Sequence, residues 1–272
     1  MTNNRRFEGR VAIVTGASMG IGRATAIQLA EEGAIVVGCA RRKPKLDELV
    51  NVIAQRGGKF ISVGLDVADT DGFARLINDT AAEYGRLDVL VNNAPSVIGG
   101  MVVDQSLDDW RANFGIGVDS VFVGVQAAMR VMIAQRSGAI INISSVSSLR
   151  AGTASGGYGA AKAALNQFSQ CAAMEAAPHN VRINVVAPGA VDTPGLNAAT
   201  GKNQHVKKVI TDAIPMQRAA TPAEISAAIC FLSSDEASFI TGVILPVDGG
   251  KTPQLYVPSF DITNLDNQAD NR

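Results

Sequence analysis

The sequence predicts an α/β protein built on one doubly wound parallel sheet of about seven strands with helices on both faces. Two observations predict this fold. Short runs of valine, isoleucine and leucine alternate along the chain with longer segments of helical spacing. The short runs are continuously apolar, as strands are when helices cover both faces of a parallel sheet. Right-handed crossovers would place such strand–helix units side by side in a single sheet.

The predicted strands and helix ends follow in chain order. The strands are expected at residues 11–15, 35–40, 60–65, 89–92, 139–144, 181–187 and 243–247. A helix over residues 21–32 should end at Gly33. Ser106 offers a capping side chain at the start of a later helix. Thr221 and Glu224 form a capping box, with Pro222 at the first helical position.

Composition narrows the class of protein and its partners. The 272 residues are 47% hydrophobic and 18% charged, which suits one large core. A net charge of −1 gives no field that would attract nucleic acid or an anionic membrane. No uninterrupted apolar run reaches about 18 residues, and residues 1–10 lack the apolar core of a signal peptide. We therefore expect a cytoplasmic protein that binds neither nucleic acid nor a membrane.

The cysteines and histidines suggest no metal or disulfide chemistry. Cys39, Cys171 and Cys230 are scattered and odd in number. Neither they nor the two histidines show metal-ligand spacing. We expect each cysteine to be a small buried residue, and we expect no metal site.

A glycine-rich turn follows the first strand. Residues 15–22 read TGASMGIG and lead directly into a helix. A helix N-terminus presents free N–H groups and a partial positive charge, and glycines let a pyrophosphate approach the backbone. A tight turn alone would also favour glycine, but the strand before it and the helix after it favour a dinucleotide site. The predicted contacts are Gly16, Ser18, Gly20, Ile21 and Gly22.

The end of the second strand indicates which dinucleotide is bound. An acidic residue there would favour NAD, but the chain has Ala40, Arg41 and Arg42. Ala40 leaves room for a 2′-phosphate, and an arginine offers planar charged donors to it. We predict NADP as cofactor, with Arg41 contributing more than Arg42. The alternative is that both arginines are solvated residues at the start of the next helix.

Asp66 and Val67 follow the third strand and are predicted to bind the adenine, through the Asp66 carboxylate and a backbone N–H. The alternative is that Asp66 begins a helix.

Three residues form a candidate proton-transfer site. Tyr158 and Lys162 are four residues apart, so they share one face of a predicted helix. A free tyrosine has a pKa near 10, and a neighbouring ammonium lowers that value. Such pairs also occur by chance on helix surfaces. Ser145, however, follows a strand at the sheet edge where substrates bind. Together the three residues predict carbonyl/alcohol chemistry with a general acid/base.

These motifs together resemble the short-chain dehydrogenase/reductase family over residues 9–250. The matching pieces are the glycine turn, residues 65–67 and 90–94, Ser145, Tyr158-x-x-x-Lys162, and residues 184–189, 239–242 and 247–250. The resemblance implies a single Rossmann-type catalytic domain over residues 1–250. It also implies hydride transfer at the nicotinamide C4, with Tyr158 moving the proton, Ser145 polarising the carbonyl and Lys162 also binding the ribose. Asn93, Ala94, Val191 and Thr193 would contact the cofactor.

The resemblance also implies a substrate lid at residues 190–216, and we expect a separate tail at residues 251–272. Paired helices over residues 106–136 and 158–177 would make a homotetramer. The substrate is expected to be a small carbonyl or alcohol, uncharged and mostly apolar. Arg150 and His205 could instead meet an anionic group, but we expect both to be exposed surface residues. The side chains that suggest an apolar pocket are Val97, Ile98, Met101, Leu149, Leu196 and Met216.

Two positions depart from the family pattern. Pro95 stands where glycine is usual, which removes an N–H beside the nicotinamide. Gly117 stands where the family has an asparagine that holds a water behind the lysine. A water could fill that space, or Asn113, one turn earlier, could substitute for the missing side chain. The departure supports one alternative function, a dinucleotide-binding protein with low or no turnover.

Overall fold

In the computed structural model, residues 5–199 and 203–254 are described, with the backbone alone for 198 and 199. The strands are β1 (Val11–Thr15), β2 (Ile35–Ala40), β3 (Lys59–Gly64), β4 (Val89–Asn92), β5 (Gly138–Ile143), β6 (Val181–Pro188) and β7 (Ile244–Val247). They pair in parallel in the order β3-β2-β1-β4-β5-β6-β7. The order reverses between β1 and β4, and ligands of doubly wound sheets bind beside such a reversal.

Helices connect successive strands and cover both faces. Those of the described residues are α1 (Gly20–Glu31), α2 (Lys43–Gln55), α3 (Thr70–Tyr84), α4 (Leu107–Phe114), α5 (Ser120–Gln135), α6 (Gly156–Ala176), α7 (Pro194–Ala199), α8 (Gln204–Asp212) and α9 (Pro222–Ser233). A π-helical segment, Gly115–Asp119, joins α4 to α5, and a short 3-10 turn, Val146–Ser148, follows β5.

The core has two layers, one on each face of the sheet. Ala12 and Val14 of β1 belong to the layer under α1, α2 and α9, whereas Ile13 belongs to the layer under α3, α5 and α6. This division follows from the strand geometry, because successive side chains point to opposite faces. Burial on both faces explains the continuous apolar runs, and the predicted fold class is confirmed.

The predicted elements agree with the structure to within about a residue, which is the ordinary uncertainty of element ends. The strands predicted at 11–15, 35–40 and 89–92 have those bounds, and the ends of the other strands differ by at most one residue. Ser106 caps α4 by accepting from the Asp109 N–H at 3.0 Å. The capping box of Thr221 and Glu224 is present at the start of α9.

One of the three cysteines is not where we expected it. Cys39 and Cys230 are buried, as predicted, but Cys171 is exposed. It lies on the outer side of α6, whereas the neighbouring Ala172 and Ala173 turn toward the core. Within 5–199 and 203–254, no cluster of His, Cys, Asp or Glu side chains is placed to hold a metal ion.

By length and composition, the continuous helical stretch Leu107–Gln135 could cross a membrane. However, 44% of its apolar window is buried inside the protein. Val125 and Met132 on this stretch belong to the core layer that covers the sheet. A core helix has the same length and composition, so packing against the sheet accounts for the apolar residues of this stretch.

Candidate active site

The glycine turn between β1 and α1 has structural requirements of its own. Gly16 and Gly20 have φ values of +65° and +53°, in the left-handed region that favours glycine. A β-carbon at Gly22 would lie 2.4 Å from the Asn93 side-chain nitrogen and 2.5 Å from the Gly16 carbonyl oxygen. No larger residue fits there without moving the backbone, so the turn remains open to an approaching ligand.

Thr15 and Asn93 tie the glycine turn to the end of β4. The Thr15 hydroxyl accepts from the N–H groups of Asn93 and Ala94 at 2.8 and 3.0 Å. The Asn93 side-chain nitrogen donates to the Thr15 carbonyl at 2.9 Å. The Asn93 amide, which we predicted to line the cofactor, thus holds the end of β1.

An open crevice runs along the carboxyl ends of β1, β2, β3 and β4. Predicted cofactor residues that line it are Gly16, Ser18, Arg41, Arg42, Asp66, Val67 and Ala94. Its wall also includes Met19, Leu65 and Ile116, which sequence reasoning did not assign. Met19 could have been found from its place within the glycine turn, but Ile116 belongs to a different element.

Two positive charges stand at the end of this crevice. Arg41 and Arg42 are exposed. Neither guanidinium has a hydrogen bond or an ion pair within the part of the chain that the structure describes. The next residue, Lys43, is engaged, because its ammonium lies 2.8 Å from the Asp47 carboxylate. The two arginines are therefore free to bind an anion.

Asp66 does not begin α3. The N-cap of that helix is Asp69, whose carboxylate accepts from the Gly72 N–H at 2.9 Å. Asp66 accepts from the Ala68 N–H at 3.1 Å and lines the crevice, beside the buried Val67. The alternative explanation of Asp66 as a helix start is therefore wrong.

Ser145 and Tyr158 meet at the carboxyl edge of the sheet. Ser145 follows β5, and Tyr158 lies in the first turn of α6. Burial raises the pKa of Tyr158, and a hydrogen bond with the Ser145 hydroxyl acts in the opposite direction. The two side chains are thus close enough to act on the same group.

Lys162, one turn further along α6, is almost fully enclosed. It is 6% exposed, and burial lowers its pKa to about 8. Its ammonium donates to the Ile143 carbonyl at 2.8 Å. We expected Lys162 to lower the pKa of Tyr158, but in this arrangement burial dominates Tyr158 and the ammonium faces the end of β5.

Two further polar side chains, Ser148 and Asn166, form a chain of hydrogen bonds that ends at the backbone of Ser145. The Ser148 hydroxyl donates to the Ser145 carbonyl at 2.5 Å, and the Asn166 side-chain nitrogen donates to the Ser148 hydroxyl at 2.8 Å. Sequence reasoning missed both residues. The spacing of Asn166, four residues after Lys162 and on the same helix face, was the available signal.

Gly117, which stands where the family has a relay asparagine, has space around it for a β-carbon. Gly117 is buried in the π-helical segment, and a β-carbon there would meet only the Ala161 β-carbon, at 3.6 Å. Asn113 does not substitute for it. Its side-chain oxygen accepts from the Ile98 N–H at 3.0 Å, and its nitrogen donates to the Ile98 carbonyl at 2.9 Å.

The first residues of the predicted lid reach the glycine turn. Val191 is buried and forms a bridge with Ala220. Thr193 accepts from the Leu196 N–H at 3.3 Å near the start of α7. The Thr193 methyl group lies 3.1 Å from the β-carbon position of Gly20. Residues 200–202 of the predicted lid and 255–272 of the predicted tail lie outside the described residues.

The residues predicted for a substrate pocket include exposed apolar side chains. Val97, Met101 and Met216 are 62%, 51% and 65% exposed. Arg150 is also exposed, and its guanidinium donates to the Leu149 carbonyl at 2.9 Å. His205 is exposed on α8.

Comparisons with known proteins identify the class to which this fold and site belong. The model of a family described as enoyl-(acyl carrier protein) reductase matches residues 16–252. The chain is 36% identical over 245 residues to the 3-oxoacyl-(acyl-carrier-protein) reductase FabG of Thermotoga maritima, covering 90% of this chain and 98% of the relative. It is 36% identical over 247 residues to a meso-2,3-butanediol dehydrogenase of Serratia marcescens, covering 91% and 96%.

A solved structure shows the same fold. It is a putative 2-deoxy-D-gluconate 3-dehydrogenase from Agrobacterium tumefaciens with bound NADP, with a TM-score of 0.85 and 33% identity over 93% of this chain and 100% of that one. The chain belongs to the short-chain dehydrogenase/reductase family, and it is an oxidoreductase of that family.

Proposed function

We propose that the protein is an NADP(H)-dependent oxidoreductase that interconverts a ketone or aldehyde and the corresponding alcohol. The observation that carries this proposal is the hydrogen bond between Ser145 and Tyr158 at the carboxyl edge of the sheet, with Lys162 one turn further along α6 and a glycine turn and its crevice at the same edge. Substrates of such sheets bind at that edge.

Each of the three side chains has a proposed task. The Ser145 hydroxyl donates a hydrogen bond to the substrate oxygen and polarises the carbonyl. In reduction, the Tyr158 phenol gives its proton to that oxygen as the alcohol forms; in oxidation, the phenolate takes the proton back. A nicotinamide dinucleotide held in the crevice would supply the hydride for reduction of the carbonyl carbon and would take it up in oxidation of the alcohol.

Lys162 is assigned two roles, binding the nicotinamide ribose and lowering the pKa of Tyr158. Its low pKa of about 8 follows from burial, and its ammonium donates to the Ile143 carbonyl at the end of β5. An ammonium that leaves this carbonyl for a ribose hydroxyl would favour the phenolate.

The residues of the crevice fit NADP. Ala40 is small, and Arg41 and Arg42 offer unpaired charged donors for a 2′-phosphate. Ser18 adds a hydroxyl from the glycine turn, and Asp66 with Val67 is available to the adenine. Gly16, Gly20, Ile21 and Gly22 would hold the pyrophosphate at the start of α1, and Asn93, Ala94, Val191 and Thr193 would border the nicotinamide half. The NADP-bound structure of a relative supports the same cofactor.

The wider assignments follow from the same reasoning. We infer a small, uncharged and mostly apolar substrate, supported by the exposed Val97, Met101 and Met216. Residues 190–216 would close over it as a lid. A cytoplasmic homotetramer is our expectation, supported by apolar side chains that face outward from α5 and α6, Phe122 at 46% and Met174 at 61% exposed.

Replacing Tyr158 by Phe tests the proposal. NADPH fluorescence should show binding to wild type and to Tyr158→Phe alike, while oxidation of NADPH with a panel of ketones is lost in the variant only. Tyr84→Phe, on α3, is the matched control and should remain active. Retained activity in Tyr158→Phe would refute the assigned proton donor.

The same measurements on the wild type decide the second candidate. NADPH binding without turnover of any ketone or alcohol would leave a dinucleotide-binding protein, the function suggested by Gly117 in place of the relay asparagine.

A further inference from the structure

The loop at residues 96–105 is held from both sides by buried or half-buried amide side chains. On one side, Asn113 is 1% exposed and bonds both main-chain groups of Ile98. A buried amide with both ends satisfied fixes the backbone that it contacts, because breaking either bond leaves an unpaired polar group. Ile98 is therefore fixed relative to α4.

On the other side, Gln105 joins the same Ile98 to α6. Its side-chain nitrogen donates to the Ile98 carbonyl at 3.3 Å, and its side-chain oxygen accepts from the Gly157 N–H at 3.2 Å. A β-carbon at Gly157 would lie 2.9 Å from both polar atoms of the Gln105 amide, so glycine at this position makes room for it. A main-chain bond from the Gly100 N–H to the Ala154 carbonyl, at 2.9 Å, runs alongside.

The Gly157 bond replaces a normal helix cap. The first N–H groups of a helix have no partner within it, and the N-cap side chain usually bonds the second or third of them. Ser155 is the N-cap residue of α6, but its side chain makes no capping bond. Gln105 supplies that bond from a distant part of the chain, to the residue directly before Tyr158.

We propose that Gln105, held in place through Ile98 and Asn113, is a positioning residue that sets the place of Tyr158 by capping α6 from outside. The inference rests on the proposed role of Tyr158 as general acid/base. A proton donor must lie within hydrogen-bond distance of the substrate oxygen, and a misplacement of about 1 Å can cost about a hundredfold in rate. We call the hydrogen bonds of Asn113 and Gln105 to Ile98, with the bond of Gln105 to Gly157, the clamp. Because Ile98 belongs to the predicted substrate pocket, the clamp fixes both the pocket and the proton donor.

Three full-length variants test the clamp. Gln105→Met keeps the length of the side chain and removes both bonds. Gln105→Glu keeps an acceptor for the Gly157 N–H, and a negative charge at a helix N-terminus is favourable. Gln55→Met, on the exposed end of α2, is the matched control for the same substitution.

The direct readout is amide hydrogen exchange at Gly157, with kcat, KM and the NADPH dissociation constant measured in parallel. Gln105→Met should speed Gly157 exchange and lower kcat about tenfold or more, with NADPH affinity within about twofold of wild type. Gln105→Glu should keep slow exchange at Gly157, because its acceptor remains, and should recover kcat in part, because it loses the donor to the Ile98 carbonyl. Gln55→Met should behave as wild type.

Unchanged kcat or unchanged Gly157 exchange in Gln105→Met would overturn the proposal, as would a kcat in Gln105→Glu as low as in Gln105→Met. Failure of the clamp is distinguishable from failure of the proposed function. If Tyr158→Phe is inactive and Gln105→Met is fully active, only the clamp is wrong, whereas an active Tyr158→Phe removes the proton donor itself.

Discussion

The ammonium of Lys162 donates to the carbonyl of Ile143 at 2.8 Å, in a position where Lys162 is only 6% exposed. One carbonyl does not replace the water that an ammonium loses on burial, and the pKa of Lys162 falls to about 8. Burying the charged Lys162 ammonium at the candidate site therefore lowers the free energy of unfolding.

That cost predicts how stability depends on pH. The folded-state pKa of Lys162 is about 8 and its ordinary value is 10.5, so between these pH values the unfolded chain binds more protons. Stability should therefore rise through this window, by at most about 3.5 kcal/mol at about 1.4 kcal/mol per pKa unit. In urea unfolding, Lys162→Met should exceed the wild type in stability at pH 7, and the difference should shrink toward pH 10.5.

Lys45→Met, on the exposed surface of α2, is the control and should show no such pH-dependent difference. A constant difference between wild type and Lys162→Met at all pH values would contradict the buried charge.

The two directions of catalysis should respond to pH in opposite ways. Reduction needs the Tyr158 phenol and oxidation needs its phenolate, so the oxidation rate should rise with pH and level off near the pKa of Tyr158 in the complex. In Lys162→Met, the burial that raises this pKa and the opposing hydrogen bond of Ser145 remain without the ammonium, and the midpoint should move to higher pH. Single-turnover rates at saturating NADP⁺ measure this midpoint. A midpoint that stays in place would show that Lys162 does not act on Tyr158.

Gly117 offers a test of the proton route by gain of function. An added β-carbon meets only Ala161, at 3.6 Å, so the backbone position accepts a β-carbon without a clash. Gly117→Asn should raise kcat about tenfold by ordering a water behind Lys162, since positioned proton-transfer groups contribute at least that much. Gly117→Ala is the control and should raise only stability, by about 0.5–1 kcal/mol. Equal kcat in the two variants would argue against a relay at this position.

Arg41 should decide between the two nicotinamide cofactors. Removing a charged donor to a phosphate costs about 1.5–3 kcal/mol, or about ten- to a hundredfold in affinity. Arg41→Ala should weaken NADPH binding by that factor and leave NADH binding nearly unchanged. Arg42→Ala, at the next position, should have a smaller effect. Fluorescence titration with both cofactors measures this, and equal losses for NADPH and NADH would place Arg41 away from the 2′-phosphate.

Alanine substitutions at two glycines compare a position where a β-carbon would clash with one where it would not. Gly22→Ala forces a β-carbon to within 2.4 Å of the Asn93 side chain and should destabilise the protein by about 1–3 kcal/mol while abolishing NADPH binding. Gly115→Ala has no atom within 4 Å of the new β-carbon and should be neutral or stabilising. Thermal unfolding distinguishes them. A Gly22→Ala protein with wild-type stability would show that the turn adapts.

Much of the fold could be predicted because its signals are local. Continuous apolar runs and capping side chains are read within a few residues, which is why β1, β2 and β4 had the predicted bounds. The ends of other strands depend on partners far along the chain. Pro188 extends β6 because it pairs with Val247 of β7, and nothing in residues 181–188 specifies that partner.

The same distinction applies to the site. Tyr158 and Lys162 share a helix face, so their proximity is a property of spacing alone. The bond of Gln105 to Gly157 joins residues 52 apart, and the bond of Asn166 to Ser148 joins a helix to a 3-10 turn. The hydrogen bonds of Asn113 to Ile98 likewise could not be predicted from the sequence. They occupy the side chain that its spacing had suggested as a substitute for the relay asparagine.

The Thr193 methyl group lies beside Gly20, 3.1 Å from where a β-carbon would stand on that glycine, and this close approach has a consequence for kinetics. The phosphate side and the substrate side of the crevice share this boundary, so a dinucleotide that enters first shapes the surface that the substrate then meets. We expect compulsory-order kinetics, with the dinucleotide first to bind and last to leave. Product inhibition by NADP⁺ should accordingly be competitive with NADPH and noncompetitive with the carbonyl substrate.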